Sequence, residues 1–172
     1  MYQPNGTHPN VHIGHVHLRV ADLERATAFY RQVLGFDVTA YGPDFGLPGV
    51  AFLSAGGYHH HIGLNTWTSE GGEPSPEGCT GLYHFAIVYP DRRELGRAVR
   101  SFLEHDYPID GAEDHGAMVS VYLRDPDGNG VELYYDRPRA DWFDEDGNWI
   151  LKADHFDYRD LLNDPTPTTT GA

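Results

Sequence analysis

Apolar and polar positions alternate at Val16, Leu18 and Val20, after which the period lengthens from two residues to that of a helix. A strand followed by a helix is therefore predicted, with Asp22 placed to cap a helix that runs to about Leu34. Three short extended segments follow, at roughly residues 37–41, 50–53 and 59–67. The same order returns 69 residues later. Phe85, Ile87 and Tyr89 alternate, Asp91 stands in the place of Asp22, RRELGRAVRSFLEHDY has helical period, and extended segments follow at roughly 109–112, 118–123 and 131–135.

The chain thus reads as α+β, with two tandem βαβββ modules over residues 12–67 and 82–138. A Ser/Glu/Gly/Pro-rich linker occupies 68–81, an N-terminal tail 1–11 and a C-terminal tail 139–172. Trp142, Phe143, Trp149, Ile150 and Leu151 predict that the tail first packs back, whereas its Pro/Thr-rich end predicts disorder from about Asp164. Each curved sheet has one face for its helix. The other faces are left to line a shared cleft around a metal site.

The segment from His115 to Glu132, HGAMVSVYLRDPDGNGVE, reads as a hairpin that turns between Asp125 and Gly130. Strand parity sends Val121, Leu123, Val131, Leu133 and Tyr135 to one face and Tyr122 with Glu132 to the other. A carboxylate in the middle of an apolar and aromatic strand is costly unless it is paired, exposed or bound to a metal. In both halves a His stands one residue before the alternating set: His15 before Val16 and His84 before Phe85. One such His alone is ordinarily a polar residue on a strand. Two at equivalent positions, plus Glu132, make two imidazoles and one carboxylate facing one cleft. That is a facial triad with open positions, suited to Fe(II), and Mn(II) or Zn(II) can take the same ligands.

Composition narrows the partners. The formal net charge is −14 and Lys152 is the sole lysine, which argues against nucleic acid. No run of about 18 apolar residues exists and the N-terminal stretch has no signal-peptide pattern, so no membrane association and a cytoplasmic location are expected. A single cysteine, Cys79, excludes an internal disulfide and a Cys-rich zinc site. Eleven histidines supply metal ligands and proton carriers.

Over residues 13–138 the sequence resembles the vicinal oxygen chelate superfamily, and within it the type I extradiol ring-cleaving dioxygenases. The first-strand His15, Asp22-Leu23, Phe29-Tyr30 and the VLGF at 33–36 carry the general likeness. The specific likeness lies in the hairpin, where His115, Val121, Tyr122, Asp125, Pro126, Gly128 and Glu132 fall at the extradiol spacing. Glu113 departs from it, standing where a small or apolar residue is usual.

The resemblance implies His15, His84 and Glu132 as ligands of Fe(II), and His115 and Tyr122 as contacts of the substrate or of dioxygen. It implies His60 as the acid/base residue. Strand parity points instead to His61, with His60 reaching the cleft only across a bulge or turn, so the choice within His59, His60 and His61 stays open. The implied activity is Fe(II)-dependent insertion of O2 into a catechol-type ring beside the diol, with a small aromatic diol and O2 as partners. Trp67, Trp142 and Phe143 are candidates to wall the pocket. A homodimer is compatible with this reading.

Two alternatives share the scaffold: a glyoxalase-like metal-dependent isomerase or lyase, and a small-molecule-binding resistance-type protein. A glyoxalase-type site is expected to add a carboxylate from the last strand of the first module, where this chain has Gly63. Many type I extradiol enzymes carry four modules, whereas two are recognised here.

Overall fold

The computed structural model describes residues 7–76 and 78–163. The first module comprises β1 (Val16–Arg19), α1 (Leu23–Ala28), β2 (Asp37–Tyr41), β3 (Val50–Ser54) and β4 (Ile62–Asn65). The second comprises β5 (His84–Tyr89), α2 (Arg92–Glu104), β6 (Gly111–Gly116), β7 (Met118–Arg124) and β8 (Gly130–Asp136). Their sheets have the strand orders β1-β4-β3-β2 and β5-β8-β7-β6, parallel in the first pair of each and antiparallel thereafter. The α+β class and the repeated connectivity agree with the reading of the sequence. The expected disorder from Asp164 lies outside the described residues.

Both helices start where an aspartate takes a free N–H: Asp22 accepts from Arg25 N at 3.0 Å and Asp91 from Glu94 N at 2.9 Å. The first helix does not remain α-helical to Leu34, however. It widens into a π-turn over Phe29–Val33. Tyr30, fully buried there, donates its hydroxyl to Asp125 Oδ2 at 2.8 Å.

That bond joins the modules through the Asp-Pro-Asp-Gly-Asn turn. Asp125, 4 % exposed, also accepts from the N–H groups of Asp127 and Asn129 and from Asn129 Nδ2. Gly128 takes a φ of 81°, which closes the turn. Asp127 in turn accepts from Ala21 N at 2.8 Å and Arg25 Nη2 at 2.7 Å. Leu18, Phe29, Tyr30, Leu53 and Leu64 of the first module share one core cluster with Leu95, Phe102, Val121 and Leu133 of the second.

The second sheet has a fifth strand that sequence pattern did not predict, β9 (Leu151–His155), antiparallel to β6 at the edge. The C-terminal segment thus returns to the sheet as a strand. β6 correspondingly extends to Gly116 rather than ending at 112. Beyond β9, Leu161 is buried against α2, where a side chain on Gly96 would meet its carbonyl oxygen. No helix among the described residues is long and apolar enough to cross a membrane.

Candidate functional site

The alternation of β8 sends Val131 and Leu133 into the core and leaves Glu132 on the opposite face. Across the parallel ladder Glu132 faces Ala86, and across the antiparallel ladder it faces Tyr122. His84 lies two residues before Ala86 and hence on the same face. Its Nε2 is 3.0 Å from Glu132 Oε2. Tyr122 donates its hydroxyl to Glu132 Oε1 at 3.1 Å, and His115 Nε2 lies 2.7 Å from the same hydroxyl. Four strands thus contribute a hydrogen-bonded row: His84, Glu132, Tyr122, His115.

Glu132 is only 5 % exposed, and its partners in this row are a phenol and an imidazole. A buried carboxylate without an Arg or Lys beside it carries a desolvation cost that a bound cation offsets. The phenol of Tyr122 is pushed up to about 12 by burial and by the Glu132 charge, so it keeps its proton and remains a donor.

A second group forms on the first sheet. The ring of His15 lies 4.5 Å from that of His60, which also contacts Phe52 at 4.7 Å and has its Nδ1 2.8 Å from His59 Nδ1. His61 points elsewhere, its Nδ1 held by Ser54 Oγ at 3.1 Å and Ala55 N at 3.3 Å. Parity did not decide between these residues because β4 begins only at Ile62, so His60 precedes the strand. Burial, and then the neighbouring His15, lower the His60 pKa from the ordinary imidazole value, which favours a neutral ring able to take a proton.

The six residues singled out in the sequence therefore fall into two groups: His84, Glu132, Tyr122 and His115 in one, His15 and His60 in the other. Among the described residues no three His, Cys, Asp or Glu side chains converge closely enough to enclose a metal ion. The donor chemistry nevertheless fits a divalent cation, since His84 and the buried Glu132 already meet.

Sequence reasoning missed His17. It alternates with His15 and so shares its face, a signal present in the pattern HVH. Its ring covers Gly63, where an added Cβ would lie 2.9 Å from the imidazole, and it packs near Phe52 and Trp67. Trp67 thus borders the His15 group. Trp142 and Phe143 instead pack on Trp149 in the C-terminal segment.

Glu113, the departure from the extradiol pattern, stands on the face of His115 with its Oε2 3.5 Å from His115 Nε2. A cavity of about 380 Å3 opens beside Tyr122 between Asp110, Glu113, Ala153 and His155. A larger one, about 730 Å3, lies away from the row, between α1, the linker and the 125–129 turn.

A model of the glyoxalase/bleomycin resistance protein/dioxygenase superfamily matches residues 12–133. A catechol-2,3-dioxygenase of Bacillus subtilis (strain 168) is 40% identical over 158 residues, 91% of this chain and 53% of that protein. A biphenyl-2,3-diol 1,2-dioxygenase 3 of Rhodococcus globerulus is 34% identical over 72% of this chain and 63% of its own length. The chain thus spans between half and two-thirds of these curated relatives. Among solved structures, a lactoylglutathione lyase from Agrobacterium tumefaciens superposes with a TM-score of 0.56 at 26% identity, covering 74% of this chain and 96% of that one. A glyoxalase/dioxygenase from Nostoc punctiforme shares the fold, with a TM-score of 0.61 at 20% identity over 80% of this chain and all of that one. The matched span covers the first module, the second as far as Leu133 in β8, and every residue of the His84 row and the His15 group, so the chain belongs to the glyoxalase/bleomycin resistance protein/dioxygenase superfamily.

Proposed function

We propose that this chain is an extradiol dioxygenase that opens a catechol-type ring beside its diol. The observation that carries the reading is the row His84, Glu132, Tyr122, His115, built on a buried carboxylate in a chain 40% identical to a catechol-2,3-dioxygenase. His84 and Glu132 would hold Fe(II), with His15 as the third ligand. Bound there, the metal would supply Lewis acidity for the diol and a path for electrons between ring and dioxygen.

The remaining steps belong to this chain's own side chains. Tyr122, protonated at neutral pH, donates to a substrate oxygen and orients the diol. His115 backs Tyr122 through Nε2. His60, neutral and beside His15, accepts a proton from the diol and returns it as the ring opens. The rings of His17, Phe52 and Trp67 offer an aromatic surface on that side against which the substrate ring would pack.

A glyoxalase-like lyase is the second reading, favoured by the lyase fold neighbour. Against it stands Gly63 under the His17 ring, where an additional carboxylate ligand would be expected. Anaerobic loading with Fe(II), followed by O2 uptake and yellow product formation with substituted catechols, tests the proposal. Stoichiometric iron and catechol-dependent uptake are expected. Tight Zn(II) or Ni(II) binding with no uptake would sink it.

A further inference from the structure

We propose that β9 is a working part of this site: the backbone carbonyl of Lys152 positions His115 against Tyr122. The inference rests on the dioxygenase reading and concerns a strand beyond residues 12–133, the span matched by the family.

β6 and β9 pair at Glu113 with His155 and at Asp114 with Asp154, then slip, and resume at Gly116 with Leu151. Between these registers β6 has one residue, His115, and β9 has two, Lys152 and Ala153, so β9 carries the extra residue of a bulge opposite His115, a device that re-aims side chains and backbone groups. Gly116 has a φ of +85°, and a Cβ there would stand 2.5 Å from a methyl of Ile150. Only glycine lets the approach to β9 close so tightly on the bulge.

The bulge brings His115 Nδ1 to 2.8 Å from the Lys152 carbonyl oxygen. A carbonyl has no proton to give, so Nδ1 carries the hydrogen and donates it. Nε2 is thereby turned as an acceptor to the Tyr122 hydroxyl, 2.7 Å away, whose one proton is shared between Nε2 and Glu132 Oε1. Without that backbone acceptor, the ring could turn over or present its other nitrogen.

The strand is held at the same residue. Asp114 and Asp154 face each other across the ladder, two like charges that would part the strands unaided. Lys152 Nζ bridges them, at 2.8 Å from Asp154 and 3.4 Å from Asp114, while Arg137 reaches Asp114 at 2.7 Å. All five residues of β9 are exposed, so burial of its side chains does not account for its place on the sheet.

The test uses the full chain and a double-mutant cycle. Ile150→Ala loosens the seat of β9, and His115→Gln keeps a polar side chain with an acceptor oxygen while removing the ring that the Lys152 carbonyl orients. In the iron-loaded protein, Ile150→Ala should lower kcat about tenfold with KM little changed. In the His115→Gln background the same change should cost less than about twofold. An equal loss in both backgrounds, or no loss in either, overturns the proposal. Lys152→Met serves as the second variant if Ile150→Ala fails to fold.

Long-range 1H–15N correlation on the metal-free chain supplies the independent readout. The unaltered protein should show His115 protonated at Nδ1, and the loosened variant an averaged pair of ring nitrogens. An unchanged Nδ1–H signal in the variant overturns the proposal. If the unaltered chain cleaves no catechol, the dioxygenase reading fails, and the nitrogen signals still decide whether β9 orients His115.

Discussion

Ala86 stands directly across the parallel ladder from Glu132, and the repeat inverts this pair in the first module, where His17 stands across from Gly63. In one module a methyl group stands beside a buried carboxylate. In the other an imidazole covers a bare backbone. The two sheets thus have different work although their connectivity is the same.

Enlarging Ala86 should therefore block the site without touching the core. Ala86 is exposed, so Ala86→Leu is expected to leave stability within about 0.5 kcal/mol. Iron retention should fall at least tenfold. Metal analysis after gel filtration checks it. Full iron content in the variant would show that the Ala86 side of Glu132 is not where the ion sits.

Glu132→Gln separates binding from stability. Removing a buried carboxylate whose partners are a phenol and an imidazole should raise the Tm of the metal-free chain by a few degrees, about 1 kcal/mol. The same change should abolish the rise in Tm expected on adding Fe(II) to the unaltered protein. A lowered Tm for the metal-free variant contradicts the account of Glu132.

The three consecutive histidines should respond unequally. His60→Ala is expected to lower kcat by about a hundredfold or more, since it removes the proposed proton carrier beside His15. His61→Ala removes hydrogen bonds to Ser54 and Ala55 and should cost about 1 kcal/mol of stability with kcat near that of the unaltered chain. The reverse pattern in steady-state kinetics and thermal melts would move the role to His61.

Tyr30→Phe tests the joint between modules. It deletes one of the bonds to the buried Asp125 carboxylate and should destabilise the chain by about 1.5–3 kcal/mol. Urea melts measure the loss, and kcat of the folded fraction should change little. A variant as stable as the parent would mean that the remaining donors to Asp125 suffice.

Acid stability should depend on Asp114. Burial opposes its ionisation, but the Gly116 N–H, Arg137 and Lys152 together outweigh it and hold the carboxyl below the usual aspartate range. A lowered folded-state pKa gives stability present above the unfolded pKa, about 3.9, and lost as pH falls through the folded value. Asp114→Asn should flatten the stability profile below about pH 4. An unchanged acid limb would count against the cluster around Lys152.

Much of this was legible along the chain because period is a local property. Alternation at Val16–Val20 and Phe85–Tyr89 located both first strands, and parity alone put Glu132 with Tyr122 and away from Leu133. Legibility ended where the chain leaves regular structure. Nothing local marks a strand start at Ile62, so parity has no bearing on His60, which precedes the strand. Nothing marks the π-turn over Phe29–Val33, which aims Tyr30 at a turn 95 residues away.

By itself, then, the sequence determined the repeated strand-helix order and the parity that puts Glu132 with Tyr122 on the face away from the core. Only the tertiary structure decided that His84 meets Glu132 while His15 rests on His60, and that the 125–129 turn joins the modules. It alone added β9 at the sheet edge, with a carbonyl turned to His115. The physical reason is that hydrophobic period is written residue by residue, whereas a hydrogen bond between distant segments depends on where several strands and one bulge bring two atoms together.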